Sequence, residues 1–275
     1  MIWLRLFLGL VAAGLFLLVF GPVRLLAKYR GWRFGRNLPV VFHRLLCATL
    51  RLRIRRFGRP SSASRRLIVA NHVSWLDIPA LGACEPMAFL AKKEVGDRLL
   101  GRIVVALQGG LYVDRLRKRA IPQVNAEMAL RIRAGDPVLL FAEATSGDGN
   151  RVLKFRSSHF EAIRQAGAGV DGPAVIQPVF LRYCRIAGLP VARIDRPVFA
   201  WYGDMTFWPH LRGLLRAGAI VCEVHYGDPL PVEADSAGKP LAEATERAVR
   251  DLAGRARAAD RDGSTSAIPA GRETG

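Results

Sequence analysis

The sequence predicts an α/β sandwich preceded by a hydrophobic, membrane-anchoring helix. Two patterns support this fold class. Short apolar runs rich in β-branched residues alternate with helical patterns, and an uncharged apolar segment of helical length lies near the N-terminus. Of the 275 residues, 51% are apolar, which is enough to fill the core of one main domain. In such folds the functional loops follow the carboxyl ends of the strands.

The N-terminal segment has the properties of a membrane anchor. Residues 6–23 contain no charged or strongly polar side chain, and this length is about what an α-helix needs to cross hydrocarbon. Arginines and a lysine follow the run, as expected for a stop signal whose carboxyl side faces the cytoplasm. A cleaved signal peptide would have a shorter apolar core and a small-residue cleavage site. The alternative is a re-entrant or interfacial helix, because several glycines and Pro22 could bend the segment.

The positive charge of the chain is concentrated at this end. The net charge is +18, and the 14 Lys and Arg residues of the first 76 positions all precede Asp77, the first acidic residue. A basic block beside an apolar segment indicates binding to an acidic bilayer, whereas nucleic-acid binding is not expected because no recognisable binding module is present. Residues 37–56 mix apolar residues with arginines. We interpret them as an amphipathic helix that lies either in the headgroup layer or against the domain.

The rest of the chain divides into predicted strands and helices. Predicted strands occupy residues 67–70, 87–90, 110–113, 137–141, 174–182 and 219–226. Predicted helices occupy residues 75–84, 94–108, 119–134, 158–167 and 237–258. The predicted organisation is therefore an anchor and basic amphipathic helix at 1–56, a main domain at 57–258, and a disordered tail at 259–275, where there is little to bury.

The stretch LIVANHVSWLD, residues 67–77, contains the first candidate catalytic residues. His72 follows a buried strand directly, and Asp77 comes five positions later. Two residues five apart on one helix point about 140° away from each other, so we expect His72 on the turn and Asp77 one turn into the helix. The carboxylate could then bind one ring nitrogen and make the other a general base. The alternative, from spacing alone, is a histidine that caps the helix and an aspartate in a surface salt bridge.

The stretch QGGLYVDR, residues 108–115, is a candidate phosphate-binding segment. Gly110 opens a short predicted strand, and Arg115 follows the carboxyl end of that strand. An arginine in this position, with further basic residues after it, could bind phosphate through two parallel hydrogen bonds.

A third stretch, VLLFAEATSGDGN at residues 138–150, leads from a buried strand into a small polar loop. Glu143, Thr145 and Ser146 provide an acid and two hydroxyl groups, and their small neighbours allow close approach of the backbone. Such a loop suits a polar head group. The four cysteines show no C-x-x-C or metal-ligand spacing, which is typical of a reducing compartment and does not support a metal site.

The order and spacing of these stretches resemble the lysophospholipid acyltransferase family, which includes bacterial 1-acylglycerol-3-phosphate acyltransferases. The family's N-H-x-x-x-x-D motif corresponds to NHVSWLD, and its G-x-[FY]-[VI]-x-R motif corresponds to GLYVDR. The F-P-E-G-T motif corresponds to FAEAT, and the fourth motif, a proline in an apolar strand, corresponds to VIQPVF. The resemblance extends from about residue 66 to about residue 230.

The resemblance implies an acyltransferase-type α/β sandwich and a mechanism without an acyl-enzyme. His72, assisted by Asp77, would deprotonate the acceptor hydroxyl, which attacks the thioester of acyl-CoA or of acyl carrier protein (acyl-ACP). Backbone N–H groups near the helix start would stabilise the oxyanion. No cofactor other than the thioester co-substrate is expected. The implied acceptor-binding residues, with Arg115 on the phosphate, are Gly110, Arg115, Glu143, Thr145 and Ser146.

Two features leave the acceptor open. Ala142 and Ala144 replace the proline and glycine of the F-P-E-G-T motif, and an alanine at 144 would be strained if the loop requires a positive φ there. In addition, SGDGNRVLKFRSSHFEAI and AWYGDMTFWPHL resemble a bacterial subgroup that acylates lyso-ornithine lipid, which carries no phosphate. Because of Arg115, the sequence prediction is 1-acylglycerol-3-phosphate (lysophosphatidate) as acceptor and phosphatidate as product. A lyso-ornithine lipid O-acyltransferase is the alternative, and an inactive lipid-binding relative is a third possibility.

These assignments predict a protein of the cytoplasmic (inner) membrane whose catalytic domain faces the cytoplasm. A lysolipid acceptor lies in the bilayer, whereas the thioester donor arrives from the cytoplasm, so an anchor would keep the site at this boundary. The basic N-terminal residues would also favour acidic donors, whether carrier protein or CoA.

Overall fold

Helices alternate with strands in the computed structural model, which describes residues 2–30, 33–92, 105, 110–113, 118–169, 172–233 and 235–261. The helices are α1 (Ile2–Tyr29), α2 (Leu38–Leu50), α3 (Asp77–Gly82), α4 (Ile121–Arg133), α5 (Glu161–Gly167), α6 (Phe207–Arg216) and α7 (Gly238–Arg261). The strands are β1 (Leu52–Phe57), β2 (Arg65–Ala70), β3 (Ala88–Lys92), β4 (Leu111–Val113), β5 (Val138–Phe141), β6 (Ala174–Ile186), β7 (Leu189–Pro190), β8 (Ile220–Tyr226) and β9 (Leu230–Val232).

The strands form a mixed sheet in the order β1-β8-β6-β2-β5-β3-β4, with β7 and β9 paired to β6. β2 is parallel to β5 and β6, whereas β8 is antiparallel to β6 and parallel to β1. The register aligns Ala70 with Phe141 and with Val179. The carboxyl ends of β2 and β5 therefore lie on the same side as the amino ends of β1 and β8. We call this side the carboxyl end of the sheet.

Helices cover both faces of the sheet, because its central strands are apolar on both sides. On β2, Leu67 and Val69 pack into one hydrophobic cluster and Ile68 and Ala70 into the other, and all four are fully buried. Helices α2, α3 and α6 complete the cluster around Ile68, and helices α4, α5 and α7 complete the cluster around Leu67. The predicted α/β sandwich is confirmed, with β2 buried along its whole length and apolar from Leu67 to Ala70, as in the strands of parallel sheets.

α1 and α2 form a helical hairpin at the start of the chain. The segment Leu4–Ala27 of α1 is long and apolar enough to cross a membrane. Only 6% of its most apolar 18 residues are buried in the fold. α2 runs back along α1, with the rings of Phe16 and Phe42 6.0 Å apart. A Cβ atom on Gly9 would lie 2.1 Å from Thr49 Cγ2, so only glycine allows the two helices to approach this closely.

The prediction of an amphipathic helix over residues 37–56 is wrong for the residues after Leu50. α2 ends at Leu50, and β1 then pairs with β8 along its whole length. Leu52 and Ile54 alternate with exposed arginines at the period of two that a strand requires, and pairing with β8 satisfies the backbone of this segment. The first half packs on α3, in agreement with the interpretation of a helix against the domain. β1 belongs to the sheet, although the predicted boundary between 56 and 57 divides it.

Most other predicted elements agree with the structure. All six predicted strands are present, and the helices predicted at 75–84, 119–134, 158–167 and 237–258 correspond to α3, α4, α5 and α7. The helix predicted at 94–108 lies outside the described residues except for Val105, which is helical. The tail predicted from residue 259 begins too early, since α7 continues to Arg261; residues 262–275 lie outside the described part of the chain. The sequence analysis does not predict α6, which contains Gly213, unfavourable in a helix interior, and Pro209, which the first turn tolerates because its missing N–H has no partner within the helix.

Candidate active site

His72 and Asp77 face each other at the carboxyl end of the sheet. β2 ends at Ala70, a turn carries His72, and α3 begins at Asp77. His72 Nδ1 lies 2.8 Å from Asp77 Oδ2, so the predicted contact is present. Asp77 is fully buried, which contradicts the alternative of a surface salt bridge, and the His72 side chain is 14% exposed. Because the carboxylate occupies Nδ1, Nε2 is the ring nitrogen left to accept a proton.

Three further donors hold the Asp77 carboxylate. Oδ2 accepts the N–H groups of Val73 (2.7 Å) and Ser74 (2.9 Å), and Oδ1 accepts the Tyr183 hydroxyl at 2.6 Å. Burial raises the pKa of Tyr183 well above its usual value, and the nearby charge of Asp77 adds to the shift, so the phenol remains a donor. These bonds orient the carboxylate to keep a proton on Nδ1 of the histidine. The N–H groups of Val73 and Ser74, at the helix start where we predicted oxyanion donors, are therefore already occupied.

Replacement of Tyr183 by phenylalanine tests how far its hydroxyl supports the pair. The substitution keeps the ring stacked on Phe199, with centroids 4.7 Å apart, and removes one donor from buried Asp77. We expect a stability loss of about 1–2 kcal/mol and a decrease in kcat of about tenfold. Chemical denaturation and steady-state acyl-transfer kinetics measure the two effects. Normal kinetics in a destabilised variant would show that Tyr183 has only a structural role.

Three neighbouring segments hold the turn that carries His72. The His72 ring stacks on Phe141, with centroids 4.0 Å apart and planes inclined by 12°. The His72 carbonyl accepts the N–H of Gly147 at 2.9 Å, and the Val73 carbonyl accepts the N–H of Trp201 at 2.8 Å. The position of the ring therefore depends on β5, on the loop after β5, and on the chain around Trp201.

Glu143 supports this turn from within the protein. It is 4% exposed, its Oε2 accepts the N–H of His72 at 3.0 Å, and its Oε1 accepts the N–H of Leu153 at 2.8 Å. The predicted contact with a head group is not supported, because backbone donors occupy both oxygens of this buried carboxylate. Glu143 instead joins the His72 turn to the loop after β5.

The ionisation of Glu143 predicts a pH dependence of stability. Burial raises the pKa of Glu143 from 4.5 to about 7, although the N–H groups of His72 and Leu153 oppose the shift. The folded protein therefore binds this proton more tightly than the unfolded chain does. The stabilisation that comes from protonated Glu143 is greatest below pH 4.5, the pKa of this group in the unfolded chain, and is lost as the pH rises through about 7.

Replacement of Glu143 by glutamine removes this ionisation. At about pH 5 we expect Glu143→Gln to have a lower Tm than the wild type, because the amide NH₂ faces a backbone donor. As the pH rises to about 8, its Tm should decline less than that of the wild type, because the variant has no proton to lose at this position. Thermal unfolding of both proteins across this range is the measurement. Parallel Tm curves would contradict the assignment of this pH dependence to Glu143.

The loop after Glu143 combines a left-handed backbone with an exposed hydroxyl. Ala144 has a φ of 59°, in the region that favours glycine, so the strain expected from the substitution in the F-P-E-G-T motif is present. Thr145 is exposed and accessible to an acceptor, whereas the Ser146 hydroxyl donates to the Trp201 carbonyl. The exposure of Thr145 is consistent with the predicted contact between its hydroxyl and the acceptor. The Ser146 hydroxyl instead makes a hydrogen bond within the protein.

The second predicted binding segment is described in part. Gly110 donates its N–H to the Val105 carbonyl at 2.8 Å, and a Cβ atom there would lie 2.8 Å from Val105 Cγ1. The absence of a side chain at Gly110 thus allows the close approach of Val105, and its predicted role in acceptor binding stays a prediction. β4 is parallel to β3 and ends at Val113. Arg115 lies outside the described residues, so its contact with a phosphate stays a prediction.

The other potential nucleophiles of the described residues are poorly suited to attack. Ser74 is fully buried, and its N–H is bonded to Asp77. Burial raises the pKa of Cys47, Cys84 and Cys184 to about 12, so these thiols stay protonated. Among the positions that the structure describes, no group of three His, Cys, Asp or Glu residues could hold a metal ion. The site therefore offers a base with an orienting carboxylate.

Sequence reasoning does not find the roles of Asn71 and Tyr183. The Asn71 side chain binds both backbone groups of Leu181, donating to its carbonyl at 3.1 Å and accepting its N–H at 2.7 Å, which ties the end of β2 to β6. For Asn71, its place directly before His72 in the first motif is a usable signal. Tyr183 reaches Asp77 from 106 positions away, and no local pattern indicates that contact.

Comparisons with known proteins identify the family. A family model described as acyltransferase matches residues 53–182. The lyso-ornithine lipid O-acyltransferase of Brucella abortus is 40% identical over 256 residues, which are 90% of this chain and 94% of that protein. The enzyme of the same name from Rhizobium meliloti is 32% identical over 251 residues, 91% of this chain and 86% of that protein. The 1-acyl-sn-glycerol-3-phosphate acyltransferase of Neisseria gonorrhoeae is 34% identical over 149 residues, 53% of this chain and 54% of that protein.

The fold is also that of a solved acyltransferase. The crystal structure of the 1-acyl-sn-glycerophosphate acyltransferase of Thermotoga maritima matches with a TM-score of 0.59 and 17% identity, over 91% of this chain and 94% of that chain. At this identity the match shows the fold alone. The extent and identity of the sequence matches agree with the family resemblance of the four motifs, and the chain belongs to the acyltransferase family that includes the lysolipid O-acyltransferases.

Proposed function

We propose that the protein transfers a fatty acyl group from a thioester to the free hydroxyl of lyso-ornithine lipid. The observation that carries this proposal is the His72–Asp77 pair at the carboxyl end of the sheet, in a chain that is similar over 90% of its length to the Brucella abortus enzyme. The similarity to the Neisseria gonorrhoeae enzyme covers 53% of the chain. The proposed acceptor thus differs from the sequence prediction, which favours lysophosphatidate because of Arg115.

In the proposed reaction, His72 acts as a general base and then as a general acid. Nε2 accepts the proton of the acceptor hydroxyl while Asp77 keeps the proton on Nδ1. The hydroxyl oxygen attacks the thioester carbonyl carbon, and the tetrahedral intermediate collapses with cleavage of the carbon–sulfur bond. The proton on Nε2 passes to the departing thiolate. The products are an ester and a free thiol, no acyl-enzyme forms, and no further cofactor takes part.

The proposal also includes the membrane and the donor. The exposed apolar side chains of α1 support attachment to the cytoplasmic membrane, with the catalytic domain on the cytoplasmic side. Both ends of the helical hairpin lie beside the domain, since Gly9 packs on Thr49 and Arg36 bonds to Asp136, and this supports the re-entrant or interfacial alternative for α1. The donor would be acyl-ACP or acyl-CoA, both of which carry negative charge that the basic N-terminal residues favour.

Acyl transfer by detergent-solubilised protein tests the acceptor. Labelled acyl-ACP and acyl-CoA are offered in parallel with lyso-ornithine lipid and with lysophosphatidate. We expect kcat/KM to be at least about tenfold higher for lyso-ornithine lipid. Transfer to lysophosphatidate alone would overturn the proposed acceptor. Release of free fatty acid would indicate a hydrolase, and lipid binding without any product would indicate an inactive relative.

Lysophosphatidate remains the second candidate acceptor. The Neisseria gonorrhoeae relative is named for this acceptor, and Arg115 follows β4 in the motif that the resemblance assigns to phosphate. The same parallel assay decides between the two acceptors.

A further inference from the structure

Four exposed hydrophobic side chains lie in the stretch from the end of β6 to the first turn of α6, which we call the 187–208 segment. The exposed fractions are 70% for Leu189, 86% for Ile194, 45% for Phe207 and 72% for Trp208. In the described part of the chain outside α1, the other exposed large hydrophobic residues are isolated on separate elements. Isolated residues of this kind are normal on a soluble protein, whereas several of them in one segment make that segment a candidate interaction surface.

The segment begins beside the end of α2, at the carboxyl end of the sheet. The Ala187 N–H donates to the Ala219 carbonyl at 2.8 Å, and the N–H of the next residue, Ile220, donates to the Arg51 carbonyl at 3.0 Å. Arg51 is the C-terminal cap of α2. The start of β8 therefore lies between the start of the 187–208 segment and the end of the helical hairpin, with one hydrogen bond to each.

The apolar surface of α1 reaches the same place. Leu4, Arg5 and Leu8 of α1 line a groove with Thr49 near the end of α2. Leu4 is 61% exposed and Leu8 is 56% exposed. The Nε and Nη2 atoms of Arg5 are buried without a hydrogen-bond partner in the described structure. A guanidinium that has two nitrogens without a hydrogen-bond partner among the described residues and lies between exposed leucines suits an anionic group at the boundary between water and hydrocarbon.

The charge of the surrounding chain has the matching sign. Residues 185–216 contain five arginines and two aspartates. Arg193, Arg212 and Arg216 are exposed. Exposed tryptophan, phenylalanine and arginine within one stretch of chain are typical of segments that lie in the interface of an anionic bilayer.

The same part of the chain supports the catalytic turn. Trp201 donates its N–H to the Val73 carbonyl, next to His72. The indole N–H of Trp75 donates to Nδ1 of His210 at 3.3 Å, and Nε2 of His210 lies 3.1 Å from the Ala200 carbonyl. A contact made by the 187–208 segment would therefore position the turn that carries His72.

We propose that the 187–208 segment is a second membrane contact, which acts with α1 to hold the carboxyl end of the sheet against an anionic bilayer surface. The inference rests on the proposed function, because a lysolipid acceptor must reach His72 from the bilayer. Acyl carrier protein is a weaker match for this surface. A carrier protein presents acidic groups, whereas the most exposed groups of the segment are apolar and adjoin the apolar surface of α1.

A fluorophore on the segment tests the contact directly. An environment-sensitive dye is attached to Ile194→Cys, and in a matched control to Leu130→Cys on α4, where the native residue is 66% exposed. Both variants carry Cys184→Ala, since Cys47, Cys84 and Cys222 are buried. We expect vesicles of phosphatidylethanolamine and phosphatidylglycerol to shift the emission of the dye at 194 to the blue and to leave the dye at 130 unchanged. An equal response at the two positions, or a shift at 194 that requires acyl carrier protein, would overturn the proposal.

Kinetics provide a second test that uses the whole chain. We expect the variant with Ile194→Glu and Trp208→Glu to raise the apparent KM for lyso-ornithine lipid in vesicles by about tenfold and to leave the KM for the same lipid in detergent micelles unchanged. Leu130→Glu is the control and should behave as the wild type in both. An equal effect in vesicles and micelles would contradict a membrane contact. If the wild type transfers no acyl group, the proposed function fails, and the fluorophore test still judges the contact.

Discussion

Replacement of His72 by alanine is expected to lower kcat for acyl transfer by about 1000-fold. The ring is the only group of the pair that can take the acceptor proton, since Asp77 is fully buried and bonded to four donors. Rates measured with labelled thioester and lyso-ornithine lipid at saturation report this effect. Transfer by His72→Ala at the wild-type rate would exclude His72 as the general base.

Folding of the His72→Ala variant should be little affected. Without the ring, Asp77 still accepts the N–H groups of Val73 and Ser74 and the hydroxyl of Tyr183. Thermal unfolding should therefore show a small change in Tm beside the large loss of rate. His159→Ala is a suitable control, because His159 bonds to Asn125 on the other face of the sheet and should not affect transfer.

Replacement of Asp77 by alanine is expected to reduce both activity and stability. The substitution leaves the N–H groups of Val73 and Ser74 and the Tyr183 hydroxyl without their acceptor inside the protein. We expect a loss of about 3–5 kcal/mol in the free energy of unfolding, because several buried donors become unsatisfied at once. The decrease in kcat should approach that of His72→Ala, because the ring loses its orientation and its partner charge.

The variant Asp77→Asn separates these two effects. The amide oxygen can still accept the N–H groups of Val73 and Ser74, and the amide NH₂ can donate to Tyr183, so we expect a stability loss of about 1–2 kcal/mol. The loss of negative charge should nevertheless lower kcat by about 100-fold or more. Chemical denaturation and transfer kinetics on both variants provide the comparison, with the exposed Asp204→Asn as control. Normal transfer by Asp77→Asn would show that the carboxylate charge is not required.

The sequence is sufficient for features that depend on neighbours in the chain. The apolar run of α1, the buried strand β2 and the turn between His72 and Asp77 are each encoded within about 20 residues, where hydrophobic period and side-chain reach decide the outcome. The contact between His72 and Asp77 is predicted correctly for this reason. The period of two in residues 52–57 is also local. The sequence analysis does not recognise this period because a helical pattern directly precedes it. Residues 52–57 form a strand because they pair with β8.

Only the tertiary structure decides contacts between residues far apart in the chain. Tyr183 reaches Asp77 because β6 folds beside β2, and Glu143 is buried because the loop after β5 closes under His72. From sequence, a glutamate in a polar loop after a strand suggests acceptor binding. Its burial with two backbone donors assigns it instead to support of the turn. The sequence by itself thus determined the chemical groups and their local geometry, whereas packing of the strands determined which groups remain accessible, because burial and hydrogen-bond partners depend on the whole fold.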